Sequence, residues 1–478
     1  MPQTSIKSFK IKTAYRPELK TEVLVVNIGK KQNKDIFVQI NSVIGAIYSR
    51  KYHRDAAGNL ALAPVRLQER LYHLKTQGLG GKGSKIAAQN WRTEEKALSS
   101  KKIQKARLKG IKALHEILTT LNSVMDLAGK NLSYIDLARI LKGKRDFCQA
   151  RLHNADFTKS NLTEVNLTEA NLYNTNLTEA NLSKANLTKT ELTNADLTKS
   201  NLTSANLSEA DLTHAAMMNA DLAHADLCFT TMLGTQLNNA ILTEAKMIGA
   251  NLTVAELIDS NLTRANLTAS NLSESNLANA NLQEAKLTRA KMIETTLNKS
   301  VLTKAWMMQA NLSHANLTEA DLTSADLTTA NLTKADLTYA WLKKANLTNA
   351  NLTEAKMIST DLTHVNLTKA KMNGVNLSQA TLSSAQMNFV DLTDANLADA
   401  RLSGTNLAGA NLSQSNLTHA NLTGANLADT NLTDANLTNV DLSNIDLHSA
   451  ILEELDINNT NFAGASLNNT LTLALPNN

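Results

Sequence analysis

The segment "GLGGKGSK", residues 78–85, is the first candidate for chemistry, because glycine-rich loops with a lysine can cradle phosphate groups. A Walker loop requires Gly, four residues of any type, and then Gly-Lys followed by Ser or Thr. Here Thr76 stands at the first glycine position, and Gly83 follows Lys82. The spacing therefore favours a flexible basic linker over a nucleotide site.

Nucleophiles and metal ligands are the next candidates. Cys148 and Cys228 are the two cysteines and lie far apart, which predicts neither a disulfide framework nor a zinc site and fits a reducing compartment. No Ser-His-Asp set, paired acidic site or Cys-His pair can be singled out. We therefore expect no catalytic, cofactor or metal site, and a protein that is not an enzyme.

The chain that must position any functional residue is a repeat. From Met125 to Asn469 a five-residue word, A-[N/D]-L-[T/S]-x, recurs in one phase, and its central position is Leu, Phe, Met or Ile except at Lys142. His214, His224, His314, His364 and His419 all fall at the last position of a word, so they point outward and do not form a metal site. The register predicts that no loop interrupts the array.

A period of five fits neither an α-helix nor a flat strand, whose periods are 3.6 and 2. The word instead predicts a chain that turns a corner every five residues, with the small and the central apolar residue inside. Four words would close a square coil, and coils would stack by parallel β-type hydrogen bonds. The array would then make about 17 coils, a rod on the order of 80 Å long. No proline occurs between Pro64 and Pro476, as a fully hydrogen-bonded ladder requires.

This array, from Met125 to about Asn469, resembles the pentapeptide repeat family. The resemblance implies an all-β right-handed quadrilateral β-helix, and pairing of two copies through their C-terminal ends. Quinolone-resistance members of the family resemble B-form DNA and bind type II topoisomerases. Here the chain departs from those members, because its residues from 125 onward carry 24 Lys and Arg against 35 Asp and Glu, with many lysines outward.

Departures from the word mark a candidate binding surface. In three stretches Asn or Asp before the centre is replaced at every third word, which predicts a diagonal track that steps back one wall at each coil. Met centres follow the same step, so duplication of a three-word unit or a packing adjustment is the alternative explanation. The candidate partner-binding residues are Trp306, Trp341, Lys356, Lys371, Gln386 and Arg401; the earlier members of the pattern are Ala216, Thr231, Lys246 and Lys291.

The segment before the array has a different composition. Residues 1–124 carry 24 Lys and Arg against 8 Asp and Glu, and we predict a basic α+β domain over residues 1–98. Within it, Thr21–Gly29 and Ile36–Ser49 predict strands, and Arg66–Gln77 predicts a helix. Residues 99–124 predict an amphipathic helix that caps the array. Residues 470–478 would form a last strand or tail. The basic face of the capping helix is a second candidate contact: Lys101, Lys102, Lys105, Lys109 and Lys112.

These features favour a non-catalytic, cytoplasmic, bacterial scaffold whose rigid surface binds a macromolecular partner, most readily a protein. Three alternatives stay open: an effector delivered into a host cell, a DNA-mimicking topoisomerase-binding protein, and nucleic-acid binding through residues 1–124. The sequence has no apolar targeting segment at its start and no run of 18 apolar residues, so no membrane span is expected.

Overall fold

The computed structural model describes residues 11–16, 21–31, 34–41, 46–54, 60–62, 128–129 and 146–472. The chain divides into two compact units, Met1–Asn201 and Leu202–Asn478. The predicted helices Arg66–Gln77 and Ser99–Val124, with the five lysines of the capping helix, lie outside the described residues.

Within the first unit, five strands form one antiparallel sheet in the order of the sequence: β1 Ile11–Arg16, β2 Thr21–Lys31, β3 Lys34–Asn41, β4 Ala46–Arg54 and β5 Leu60–Leu62. The predicted strand Thr21–Gly29 lies inside β2. The prediction of a single strand over Ile36–Ser49 is wrong, because this range is divided between β3 and β4. These two strands pair in antiparallel fashion, with Asn41 opposite Ala46. The run contains Asn41, Ser42 and Gly45, residue types that favour turns, and this signal was outweighed by its apolar content.

Residues 146–201 and 202–472 each fold into coils of four words. Parallel bridges connect the residue before a centre with its counterpart four words later, such as Asp156 with Asn176 in the first unit and Trp341 with Asp361 in the second. The second unit contains about thirteen such coils. Short parallel strands β6 Ile451–Leu452 and β7 Leu471–Thr472 form its last pairing. The coil of four words predicted from the repeat is therefore present in both units.

In words with Asn or Asp before the centre, the backbone donors have acceptors, as the five residues Asp361–Val365 illustrate. Leu362 and His364 donate to carbonyl groups of the following coil, and Asp361 donates to the preceding coil. Val365 donates to the carbonyl of Leu362, which closes a four-residue turn at 3.1 Å. The Thr363 N–H donates to Asp361 Oδ1 at 3.0 Å, so the side chain supplies the fifth acceptor.

The fifth position of each word has a left-handed backbone. Non-glycine residues there have φ between 52° at Asn174 and 62° at Asn439, including the β-branched Val254. A turn whose third residue has positive φ changes the chain direction sharply, so this position forms the corner of each coil. Left-handed residues recur at every corner because the parallel hydrogen bonds on both sides hold the turn in place.

The core consists of the first and third positions of the words. The central residues from Phe147 to Leu452 are almost completely buried, and so are the alanines two residues before them. Most buried hydroxyl groups at the alanine position donate to carbonyl groups, as Thr230 does to Leu227 O at 2.7 Å, whereas those of Ser160 and Ser200 have no partner among the described residues. Burial of each leucine contributes roughly 1.5–3 kcal/mol, and no single word could bury its own leucine.

One pairing breaks the predicted uniformity. The Gly129 N–H donates to His153 O at 2.9 Å. These two residues are one word further apart in the sequence than the partners of the equivalent bonds elsewhere, such as Asn154 N–H and Tyr173 O. The register of the sequence is nevertheless unbroken through this interval, as predicted. Lys142, the nonconforming centre, lies outside the described residues.

Candidate interaction surface

Three positions of each word face outward: the one before the centre, the one after it, and the corner. Where the first of these is Asn or Asp, its side chain folds back onto its own turn. Asp361 Oδ1, for example, accepts both the N–H and the hydroxyl of Thr363, the latter at 2.6 Å. Asn or Asp and the following Thr or Ser therefore act as one structural unit, which explains their joint occurrence.

Replacement of that Asn or Asp frees the position to project into solvent. Trp306 and Trp341 are 51% and 54% exposed, and Lys356, Lys371, Gln386 and Arg401 are also exposed. In the described part of the chain, the Lys343 N–H, two residues after Trp341, has no acceptor. The substituted words therefore give up a turn hydrogen bond and gain an exposed side chain.

The structure distributes the predicted track residues over all four walls. Trp341 pairs with Asp321 and Asp361, and each later member pairs with residues outside the track. Among the five members from Trp341 to Arg401, only Trp341 and Arg401 themselves occupy the same wall, three coils apart, about 14 Å. Because consecutive members lie on adjacent walls, a compact partner could not contact the full set at once.

A local cluster forms instead around Trp341. Tyr339 occupies the corner two residues earlier and is 58% exposed, and Lys343 and Lys344 follow in the same word. Within residues 146–472, neither lysine has an acid within salt-bridge distance, whereas Lys334 and Lys356 are paired with Glu354 and Asp336. Two aromatic rings and two unpaired cations therefore lie together on one wall and its edge.

Two exposed phenylalanines were missed by the sequence reasoning. Phe229 and Phe389 occupy the same corner column and are 64% and 62% exposed. Each ring packs over a glycine one coil later, where an added Cβ would lie 2.7 Å from Phe229 and 2.6 Å from Phe389. The sequence pattern that could have revealed this contact is an aromatic corner residue followed four words later by a glycine, Gly249 or Gly409. The pattern can be interpreted only when the number of words per coil is known.

Charged corner residues form ladders whose members lie one coil apart. Arg264 Nε donates to Glu284 Oε2 at 2.9 Å, and Glu244 Oε2 lies 3.3 Å from His224 Nδ1. The hydrogen bond from Arg264 lowers the pKa of Glu284 and raises the pKa of Arg264 itself. These groups are solvent-exposed, so the ladder contributes little stability and mainly neutralises the corners.

The two cysteines have carboxylate neighbours. Burial, and after it the carboxylate of Asp146, raises the pKa of the Cys148 thiol. Burial, and after it the carboxylate of Asp226, raises the pKa of the Cys228 thiol. Both shifts favour the protonated, unreactive form of the thiol. Over the residues that the structure covers, no cluster of His, Cys, Asp and Glu has the arrangement of a metal site. In the same residues there is no helix of the length and apolarity needed to cross a membrane.

Family models match the array over more than half of the chain. The model described as "Pentapeptide repeat region" matches residues 150–227. The model described as "Pentapeptide repeats" matches in eight copies, over residues 220–257, 260–298, 297–333, 330–368, 360–398, 395–434 and 430–469. The chain therefore belongs to the pentapeptide repeat family, whose fold is a right-handed β-helix.

Solved structures include members of the same family. HetL, a pentapeptide repeat protein involved in heterocyst differentiation regulation in the cyanobacterium Nostoc sp. strain PCC 7120, is 34% identical over 40% of this chain and 86% of HetL, with a TM-score of 0.31. Rfr23 from the cyanobacterium Cyanothece 51142 is 31% identical over 21% of this chain and 63% of its own, with a TM-score of 0.15. QnrB1, a plasmid-mediated fluoroquinolone resistance protein, is 16% identical over 39% of this chain and 86% of its own, with a TM-score of 0.21. No curated protein sequence matches the chain.

Proposed function

We propose that this protein is a non-catalytic scaffold of the cytoplasm that binds a protein partner through outward side chains of its coils. The observation that carries the proposal is the cluster of Tyr339, Trp341, Lys343 and Lys344. Both rings are more than half exposed on a rigid wall, and the cations beside them are not engaged elsewhere in the described residues. Exposed Trp and Tyr on a preorganised surface are typical anchors of protein interfaces.

The remainder of the predicted track has a smaller part in this proposal. Lys356 is held by Asp336 at 3.9 Å, and Lys371 lies on a different wall from Trp341. A partner anchored at Trp341 could reach one adjacent wall and no more. We therefore place the binding energy at the Trp341 cluster, with Arg401 further along the same wall, and treat Trp306 and Gln386 as separate surface positions.

The experiment compares affinity capture by the full chain with capture by its Trp341→Ala and Lys343→Ala/Lys344→Ala variants, with bound proteins identified by mass spectrometry. Loss of the same partner from both variants supports the proposal. Trp306→Ala is the matched control, because it removes an equally exposed tryptophan from another wall. If the captured proteins are identical for parent and both variants, the Trp341 cluster is not a binding site.

Self-association through the C-terminal end is a second proposal, favoured by the burial of the last coil. Ile457, Phe462 and Leu467 are only half-buried, although the central residues of earlier coils are almost fully covered. A second copy that covered this end would bury their apolar surface. Sedimentation velocity of the parent and of Phe462→Ser/Leu467→Ser tests it, since the variant should shift toward the monomer at equal concentration.

A further inference from the structure

One wall of the second unit differs in charge from the other three. This basic wall consists of the outward positions of the seven stacked words from Ala245–Gly249 to Val365–Lys369. Its seven words carry Lys246, Lys286, Arg289 and Lys369 against the acid Asp326, a net charge of about +3. The preceding word of the same wall adds Asp226, whose carboxylate lies 4.0 Å from Lys246 Nζ, so the strip from Phe229 to Phe389 has a net charge of about +2. The seven-word stacks of the adjoining walls are close to neutral, and the opposite wall is negative, about −2.

Exposed aromatic rings accompany these cations at regular intervals. Phe229 lies one coil before Lys246, Trp306 lies one coil after Lys286, and Phe389 lies one coil after Lys369. The three aromatic residues are about four coils apart, or roughly 19 Å at the spacing of stacked strands. The wall and its edge therefore present three stations, each with one aromatic residue and at least one cation.

Each ring is held in place and keeps its outer side free. Phe229 and Phe389 rest on Gly249 and Gly409, where the absent Cβ makes room for the ring. Lys286 Nζ lies 5.6 Å from the centre of the Trp306 ring, which orients that side chain by a cation–π contact. Because the rings are preorganised, a flat ligand that stacks on them loses little conformational freedom in the protein.

The dimensions of the wall favour an extended strand over a folded partner. Three outward residues make the wall about 10 Å wide, and the strip from Phe229 to Phe389, which extends one word beyond the basic wall at each end, spans eight coils or about 38 Å. The strip of about 400 Å² is half of what one side of a typical protein interface buries. A flexible polyanion with flat rings matches the length, the positive charge and the stations together.

We propose that the basic wall binds single-stranded nucleic acid, with phosphates along Lys286, Arg289 and Lys369 and bases stacked on Phe229, Trp306 and Phe389. Aromatic platforms in a basic surface are the usual means of binding single strands without sequence preference. A duplex keeps its bases stacked on one another, so it can use the cations but not the rings. This activity goes beyond the proposed scaffold function and uses a different wall from the Trp341 cluster.

The first experiment measures the salt dependence of binding to a fluorescein-labelled dT12 by anisotropy between about 50 and 200 mM NaCl. At about 3.4 Å per stacked nucleotide, twelve nucleotides cover about 40 Å, the length of the wall. The variant Lys286→Ala/Arg289→Ala/Lys369→Ala should lower the slope of log K against log salt by about 2, since each phosphate contact contributes about 0.7 for single strands.

The control variant is Lys299→Ala/Lys334→Ala/Lys356→Ala, which removes the same charge from other walls and should leave the slope near that of the parent. The basic residues 1–124 are present in all three proteins, so their contribution cancels. Equal slopes for the two triple variants would overturn the proposal, because binding would then reside in residues 1–124 or in the net charge.

The second experiment separates stacking from charge. Phe229→Ala/Trp306→Ala/Phe389→Ala should weaken dT12 binding by at least tenfold with an unchanged salt slope, whereas Tyr339→Ala should have no effect. A dT3 probe, which reaches one station, should bind far more weakly than dT12. If the aromatic variant binds dT12 like the parent, or if poly-glutamate competes as well as dT12, the wall recognises negative charge alone and the nucleic-acid proposal fails. Loss of protein capture by the Trp341 variants is independent of either result.

Discussion

At the scale of single residues, the corner position decides how neighbouring coils contact each other. Its left-handed backbone directs side chains from consecutive coils into one column, so each residue meets the one four words away. Lys299 reaches Glu319 at 3.8 Å, and Phe229 covers Gly249. Individual substitutions should therefore act through a defined neighbour one coil away, and their effects should be recovered by changing that neighbour.

Gly249→Ala should destabilise the second unit by about 1–2 kcal/mol, because the new Cβ would collide with the Phe229 ring at a left-handed position. Thermal or urea denaturation of the variant measures the cost. Gly424→Ala is the matched control, since its Cβ would meet no atom within 4 Å. Only the cost of placing alanine in the left-handed conformation then remains. Adding Phe229→Ala should recover the difference between the two variants; if it does not, the ring is not the cause.

Asp391 should make the fold sensitive to acid. Burial alone would raise its pKa, but hydrogen bonds from Thr393, Asn373 and Asn411 together lower it below the ordinary value. A lowered folded pKa stabilises the protein above the unfolded pKa of about 3.9, and that stability is lost as the pH falls through the folded value. Asp391→Asn should therefore lose less thermal stability than the parent between pH 5 and pH 2.5.

The control for this prediction is Asp361→Asn, at the same position of another word. Asp361 accepts from Thr363 and, among the described residues, has no hydrogen bond from a neighbouring asparagine amide. Its replacement should change acid sensitivity less than the change at Asp391. Equal acid sensitivity of the parent and Asp391→Asn would show that other carboxylates dominate.

At the scale of the word, stability and surface presentation compete. Asn or Asp before the centre supplies the acceptor for the N–H two residues later, and the substituted words lose it. Every Met centre of the second unit, from Met217 to Met387, occurs in a substituted word. The coil tolerates these words because the other four backbone hydrogen bonds are retained, so a limited number of exposed side chains can be accommodated.

Trp341→Asn should therefore stabilise the second unit by about 0.5–1 kcal/mol, through a new hydrogen bond to the Lys343 N–H, and abolish the proposed protein binding. Thermal denaturation and affinity capture of the same preparation test both halves. Ile241→Asn is the control, because it restores the acceptor at an exposed position on the same wall outside the cluster. Ile241→Asn should gain similar stability and still capture the same partner. If both variants lose stability, Asn before the centre does not stabilise the word through this hydrogen bond.

At the scale of the whole molecule, the coil of four words is the unit that can be added or removed. Deleting residues 310–329 removes one complete coil, and every later word keeps its wall and its phase. This deletion should change the thermal midpoint of the full chain by a few degrees only, since each coil contacts only its neighbours. Deleting residues 310–312 shifts apolar and polar positions relative to the corners and should abolish cooperative unfolding, measured by circular dichroism. Equal midpoints for the two deletions would refute this description.

The sequence by itself determined the word, the inward and outward positions, the coil of four words and the family. It could do so because a five-residue period with one small and one large apolar residue has only one regular way to bury both. The same local reasoning failed at Ile36–Ser49, where propensity overrode the turn residues between two strands. The helices predicted before the array and the basic face of the capping helix remain predictions.

The predicted coil of four words implies which words share a wall, but only the tertiary structure decided which of their outward side chains contact one another. Words are locally interchangeable, so the wall that each one occupies depends on how many words precede it in the stack. The longer step from Gly129 to His153 shows that this count is not always four per coil. The glycine seats of Phe229 and Phe389, the isolation of Trp341 from Lys371, and the basic wall all depend on contacts between residues one or more coils apart. Hydrogen bonding between coils, which no single word specifies, brought these side chains together.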